Sequence, residues 1–113
     1  MKVAALQMVS GVALQANLDQ ARRLLEQAAQ AGAELAVLPE YFSAMGLRDE
    51  DKLALGETPG DGPVQRFLAD AARALGLWIV GGTLPLATGS RERVHNSSLV
   101  FSPQGECVAR YDK

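Results

Sequence analysis

The segment LAVLPEYF, residues 35–42, places an ionisable carboxylate directly after an apolar run. Glu40 follows Pro39 and precedes two aromatic residues, Tyr41 and Phe42. Aromatic neighbours remove water from a carboxylate, and we expect such a setting to suit a general base. The position just past the carboxyl end of a buried strand is also where open α/β sheets place catalytic groups. Position alone leaves two interpretations of Glu40 open, a general base and a loop glutamate that turns to solvent.

Two further residues could take part in nucleophilic chemistry, the single cysteine, Cys107, and the lysine at position 113. In an extended strand of about 3.3 Å per residue, these two residues would lie roughly 20 Å apart. Groups that act on one reacting atom must each come within about 3 Å of it, so Cys107 and Lys113 cannot serve the same carbon. We therefore predict a packing role for Cys107, and position alone predicts a solvated Lys113.

Motifs for nucleotide and metal binding are incomplete in this sequence. GETPGDGP, residues 56–63, has no Lys-Ser/Thr after its last glycine, and VGGTLP runs into Pro85 instead of a helix N-terminus. His95 has no second His or Cys at the spacing of metal ligands. We predict no cofactor and no metal.

The composition is that of an ordinary globular domain, with 48% hydrophobic residues, 21% charged residues and a net charge of −2 among 113 residues. No basic run favours nucleic acid or an anionic membrane as a partner. The N-terminal apolar stretch is interrupted too early for a signal peptide, and no apolar run is long enough to span a bilayer. One cysteine excludes an internal disulfide and fits a reducing compartment. A cytoplasmic protein is predicted.

Apolar residues that recur at helical spacing predict two amphipathic helices. Asn17 is expected to be the N-cap of the first helix and Gly32 its stop. The second helix is expected to begin at Pro63 and to end at Gly76, after a polar, glycine-rich loop at 46–63. Their apolar stripes comprise Leu18, Ala21, Leu25, Ala28 and Ala29 in the first helix, and Val64, Phe67, Leu68, Ala71 and Leu75 in the second.

Strands are predicted on either side of these helices. They are VAALQM at 3–8, ELAVLPE at 34–40, LWIVGGTLP at 77–85 and a hairpin at 93–113 with the turn SPQG. The resulting order β-α-β-α-β-β-β predicts an α/β fold with helices packed over a sheet. Because the sequence stops in a strand with nothing to pair its far edge, we expect a piece of a longer protein.

Several segments together resemble the nitrilase superfamily of carbon–nitrogen hydrolases. These are KVAALQM, NLDQARRLLEQAAQAGAELAVLPEYF, GGTLP, NSSLVFSPQGECVARYDK and, more weakly, GETPGDGPVQ. The combination of LPEYFSAMG with LWIVGGTLPL is most similar to Nit-type amidases, which act on deaminated glutathione and other ω-monoamides of dicarboxylic acids. The resemblance covers nearly the whole sequence and corresponds to the N-terminal part of a family member.

The resemblance implies a four-layer αββα sandwich, of which residues 1–113 would be the N-terminal portion of a single domain. It also implies a Glu-Lys-Cys triad, in which Glu40 of LPE is the base and Lys113 of YDK stabilises the oxyanion. The cysteine of the family lies in a later segment, so this chain contains no nucleophile, and Cys107 matches no family position. Glu40 and Lys113 are therefore expected to meet across a shared cleft.

The function implied by the resemblance is hydrolysis of a small linear amide to an acid and ammonia through a cysteine thioester, without metal or cofactor. The enzyme would be a homo-oligomer with a small-molecule amide as its partner, and the 113 residues alone would be inactive. A second hypothesis is a noncatalytic α/β binding or assembly domain that uses its unpaired strand edge. The sequence does not fix which amide or nitrile is the substrate.

Overall fold

The structure is a computed structural model that describes residues 1–45 and 48–113. Its elements, in chain order, are β1 (Val3–Ala5), α1 (Leu14–Gln30), β2 (Leu35–Val37), α2 (Asp49–Leu55), α3 (Pro63–Leu75), β3 (Trp78–Val80), β4 (Leu84–Ala87), β5 (Val94–Phe101) and β6 (Cys107–Asp112). The described residues therefore form a mixed α/β fold, as predicted. Within them, no helix combines the length and the apolar character that a membrane span requires.

All the described strands belong to one sheet, in which β1, β2 and β3 run parallel and β5 pairs antiparallel with β3, β4 and β6. Strands β3 and β4 lie along the same edge of β5, where Val80 faces Val100 and Leu84 faces Ser97. Between these pairs the register shifts by one residue, which is a bulge at 81–83. The single strand predicted at 77–85 is therefore two strands joined by a bulge.

The core lies between the helices and one face of the sheet. Leu25 of α1 and Leu68 of α3 are fully buried, as is Ile79 of β3. The predicted apolar stripes are confirmed, although Ala29, Phe67 and Leu75 are only partly buried at the margin of the core. A turn at 102–105 links β5 to β6, which confirms the predicted hairpin.

Two predictions about the helices were wrong. Helix α1 begins at Leu14, so Asn17 lies inside its first turn rather than at the N-cap. The Asn17 amide is buried instead, where it donates to the carbonyl oxygens of Gly11 (2.8 Å) and Ser43 (2.7 Å) and accepts from the Gly11 N–H. The polar loop expected at 46–63 contains α2, whose seven residues are too few to produce a periodic apolar pattern. Residues 46 and 47 of that loop lie outside the described residues.

The second face of the sheet is uncovered in this chain. Val3 and Trp78 are 54% and 38% exposed, and every residue of β6 is exposed. The described residues thus form two layers, one of helices and one of strands. The four-layer αββα arrangement stays a prediction.

Candidate active site

Glu40 and Lys113 meet at one end of the sheet. Glu40 follows β2 after two residues, and Lys113 directly follows β6. Lys113 Nζ donates a hydrogen bond to Glu40 Oε2 within an ion pair. About half of each side chain is exposed, 52% for Glu40 and 49% for Lys113. The predicted convergence of the two residues is therefore present, whereas their catalytic roles stay predictions.

The ion pair keeps the ammonium of Lys113 charged. The hydrogen bond to Glu40 raises the pKa of Lys113, and the negative charge of Glu40 acts in the same direction. Because the pKa is raised, the stabilisation by this pair is fully present below the pKa of an unfolded lysine and is lost as the pH rises through the folded pKa. At neutral pH the site thus presents a cation beside a carboxylate.

A strained turn directs the chain after Glu40. Tyr41 has a φ of 50°, and no other non-glycine residue in the described part of the chain has a positive φ. The Tyr41 N–H donates to Thr83 Oγ1 at 2.8 Å. A backbone conformation of this kind persists only where its surroundings enforce it, and it is concentrated at functional sites.

The bulge at 81–83 holds this turn from the other side. Gly82 has a φ of 59°, and a Cβ at this position would overlap the carbonyl oxygen of Pro39. The close backbone approach explains why the bulge contains a glycine. Sequence inspection missed this support for Glu40, although two adjacent glycines inside a strand pattern are a recognised sign of a bulge.

The expected shielding of Glu40 by both aromatic neighbours was wrong. Phe42 is fully buried and packs against Phe67, with ring centroids 6.3 Å apart. Because the chain turns sharply at Tyr41, the following side chain enters the core while the carboxylate of Glu40 stays half exposed. Tyr41 is partly buried, and its ring lies beneath Lys52 Nζ at 4.9 Å.

A cluster around Asp112 fixes the end of β6. The Asp112 carboxylate accepts hydrogen bonds from Arg110 Nε (2.8 Å) and from the hydroxyl of the fully buried Ser97 (2.6 Å). The hydrogen bond from Arg110, followed by that from Ser97, lowers the pKa of Asp112 to about 2. The next N–H, that of Lys113, donates to the carbonyl oxygen of Asn96 at 3.0 Å. These contacts position the backbone from which the Lys113 side chain extends.

We expect the Asp112 carboxyl to titrate at about pH 2 in a carbon-detected NMR titration. Since its pKa is lowered, the stabilisation from this cluster is present above the pKa of an unfolded aspartate and is lost as the pH falls through about 2. In Arg110→Gln the midpoint should move up towards the ordinary value. Arg66→Gln, which removes an exposed arginine paired with a different aspartate, should leave it in place. If the Asp112 carboxyl of the wild type titrates at the ordinary midpoint of an aspartate, the hydrogen bonds from Arg110 and Ser97 do not lower its pKa.

An apolar cavity of about 280 Å³ adjoins Tyr41 and is also lined by Glu57 and Pro85. The buried Glu57 carboxylate accepts hydrogen bonds from the N–H groups of Val64 (2.7 Å) and Gln65 (3.2 Å), and from the Gln65 side chain (3.0 Å). Those N–H groups belong to the first turn of α3, so a carboxylate from the same loop already satisfies this helix end. The loop at 56–63, whose sequence does not match a nucleotide-binding motif, thus places its own carboxylate, that of Glu57, at the N-terminus of α3.

Cys107 does not have the packing role predicted for it. It is exposed at the beginning of β6, and its Sγ donates only a long hydrogen bond, 3.6 Å, to the carbonyl oxygen of Ala109. The reason is that β6 is an edge strand without a covering layer in this chain. It also lies at the opposite end of β6 from Lys113. In the described part of the chain, no group of three or more His, Cys, Asp or Glu side chains could hold a metal ion.

A family model, curated relatives and a solved structure all resemble this chain over most of its length. The carbon-nitrogen hydrolase family matches residues 2–113. The chain is 35% identical to the deaminated glutathione amidase of Yersinia enterocolitica, covering 98% of this chain and 38% of that protein. It is 30% identical to the chloroplastic omega-amidase of Arabidopsis thaliana, covering 86% and 27%. The structure of Saccharomyces cerevisiae Nit3, a member of branch 10 of the nitrilase superfamily, superimposes with a TM-score of 0.86 and 26% identity, over 100% of this chain and 44% of that chain.

The chain thus spans less than half the length of each of these relatives. The family match nevertheless extends over nearly every residue, and it includes both members of the ion pair. This chain belongs to the carbon-nitrogen hydrolase family.

Proposed function

We propose that residues 1–113 form the N-terminal portion of a carbon–nitrogen hydrolase domain that cleaves a small linear amide to an acid and ammonia. The observation that carries this proposal is the ion pair between Glu40 and Lys113. The pair brings together a carboxylate and an ammonium that are 73 positions apart in the chain, and this arrangement supports roles as base and oxyanion donor. Relatives named as amidases support an amide as the substrate class, and their names suggest an ω-monoamide of a dicarboxylic acid.

In the proposed mechanism Glu40 removes the proton of a cysteine thiol that a segment outside these residues supplies. The thiolate attacks the amide carbon, and the carbonyl oxygen gains negative charge. Lys113 donates to this oxygen together with a backbone N–H, an interaction often worth about 10²–10³-fold in kcat per donor. The proton held by Glu40 passes to the leaving nitrogen, so ammonia departs and a thioester remains. Glu40 then activates a water molecule that hydrolyses the thioester and regenerates the thiol.

The geometry of the ion pair suits both roles. Glu40 has one carboxylate oxygen engaged by Lys113, which leaves the other oxygen to accept a proton. The ammonium has three donors, and one is used by Glu40. Because both side chains are half exposed, a substrate and a catalytic cysteine can approach them in this chain. The proposal needs no metal and no organic cofactor.

A second candidate function is a noncatalytic domain that assembles through its strands. The observation favouring it is the exposed edge strand β6 beside an uncovered sheet face. An unpaired edge of this kind can add a strand from another chain. Homo-oligomer formation stays a prediction from the family resemblance. A cytoplasmic location stays a prediction from the single cysteine and from the early interruption of the N-terminal apolar stretch.

Ammonia release distinguishes the two candidates. The full-length protein should release ammonia and succinic acid from succinamic acid, whereas residues 1–113 alone should release none. Turnover by residues 1–113 would overturn the assignment of the nucleophile to a later segment. A full-length protein that releases no ammonia from any ω-monoamide, but forms assemblies through β6, would favour the noncatalytic domain.

A further inference from the structure

Asn96 carries a buried hydrogen-bond acceptor without a partner. Its Oδ1 is shielded from solvent, and no described residue donates a hydrogen bond to it. A buried polar atom that is left unpaired destabilises a protein, so native structures contain few of them, and each requires an explanation. A donor that arrives with the substrate is one such explanation.

The position of Asn96 places this acceptor beside the ion pair. Ser97 faces Asp112 across β5 and β6, and the N–H of Lys113 donates to the carbonyl oxygen of Asn96 at 3.0 Å. Asn96 and Lys113 are therefore direct cross-strand neighbours. Residues opposite each other in an antiparallel pair project from the same face of the sheet. The amide of Asn96 thus shares a face with the Lys113 ammonium and its partner, Glu40.

The neighbour on the other side of Asn96 supplies no donor. Pro85 of β4 faces Asn96 across the sheet, and proline has no N–H. Pro85 is buried and lines the 280 Å³ cavity. Asn96 therefore lies between the wall of the cavity and the proposed catalytic pair, with an acceptor that neither neighbour satisfies.

We propose that Asn96 Oδ1 accepts an N–H of the scissile carboxamide and so makes the site select amides over esters and nitriles. A primary carboxamide has two N–H donors at the reacting carbon, whereas an ester or a nitrile has none there. A site with a buried acceptor discriminates strongly against an analogue that leaves it unpaired. This inference rests on the proposed function, and it adds a specificity-determining residue to that site.

The test compares an amide with its ester in the full-length protein. The substrates are succinamic acid and monomethyl succinate, and the variant is Asn96→Leu, which has a similar volume without the acceptor. We expect kcat/KM for the amide to fall about 10–100-fold, the range for one hydrogen bond to a buried group. The value for the ester should stay within about threefold, since it has no N–H to lose. Where ester turnover is below detection, its inhibition constant against the amide is measured instead.

Thermal stability provides an independent readout. Replacing an unpaired buried acceptor by an apolar group should leave the melting temperature unchanged or raise it, whereas a structural hydrogen bond would lower it. Ser98→Ala, on the same face of the same strand pair, is the matched control and should change neither the amide-to-ester ratio nor the melting temperature. If Asn96→Leu does not fold, Asn96→Ala removes the acceptor without its bulk and should show the same selective loss.

Two results would overturn the inference while the proposed function stands. One is unchanged amide turnover in the variant, and the other is an equal fall for amide and ester, which would mean that Asn96 acts by orienting Lys113. A wild-type protein that releases no ammonia from any amide would overturn the proposed function and this inference together.

Discussion

Replacing Glu40 by glutamine in the full-length protein should lower kcat/KM for an ω-monoamide about 10³-fold, within the 10²–10⁴-fold typical of a positioned general base. Glutamine keeps the shape of glutamate and still offers a carbonyl oxygen to Lys113, but it cannot accept the thiol proton. Because the proposed role of Glu40 as a base belongs to the chemical step, the loss should fall on kcat with little change in KM. Ammonia release under steady-state conditions measures both constants.

The same substitution should hardly affect folding. The ion pair with Lys113 is half exposed, and exposed ion pairs contribute little to the free energy of unfolding. The denaturant midpoint of Glu40→Gln should therefore stay close to that of the wild type. Glu34→Gln, at an exposed glutamate before β2, is the control and should change neither quantity. A kcat within threefold of the wild type in Glu40→Gln would remove Glu40 from the mechanism.

A second readout reports on the pair itself. The hydrogen bond that Lys113 donates to Glu40 is the largest cause of the raised pKa of Lys113. In Glu40→Gln that pKa should return towards the ordinary value of lysine, which an NMR titration of the labelled side chain can follow. If it does not move, the ion pair is not formed in solution.

Features of the fold that depend on local periodicity could be predicted from the sequence alone. The stripe through Leu18 and Leu25 repeats at helical spacing, and burial against the sheet is the only arrangement that removes it from water. Pro63 and Gly76 mark the ends of α3 because proline fits the first turn and Gly76 adopts a φ of 65° after the last one. The contact of Glu40 with Lys113 was expected as well, although that expectation came from the family resemblance.

Features that depend on nonlocal contacts could not be predicted in the same way. The left-handed conformation of Tyr41 is enforced by Thr83, which is 42 residues away in the chain. Without that turn, the alternation of a strand would have placed Phe42 beside Glu40 rather than in the core. The unpaired acceptor of Asn96 is likewise invisible in the sequence, since an asparagine within a strand is expected to find a partner.

Replacing Gly82 by alanine should lower both stability and activity, because the bulge at 81–83 supports the turn that presents Glu40. An alanine at a left-handed position costs about 1–2 kcal/mol, and here its Cβ would also overlap the Pro39 carbonyl oxygen. Relieving that overlap requires a backbone shift, and overpacking of this kind typically adds about 1–3 kcal/mol. We therefore expect the free energy of unfolding to fall by about 3 kcal/mol. Since Pro39 precedes Glu40, a shift of about 1 Å would also lower kcat roughly 10²-fold.

Gly76→Ala separates backbone strain from displacement of Glu40. Gly76 has nearly the same φ as Gly82, but open space surrounds the position of its Cβ. The control should lose only about 1–2 kcal/mol of stability and keep its kcat. If Gly82→Ala does not fold, Thr83→Val removes the hydroxyl that accepts the Tyr41 N–H without any overlap and should still lower kcat. Equal effects of Gly82→Ala and Gly76→Ala on stability and kcat would mean that the bulge does not position Glu40, and that strain at Tyr41 is maintained by other contacts.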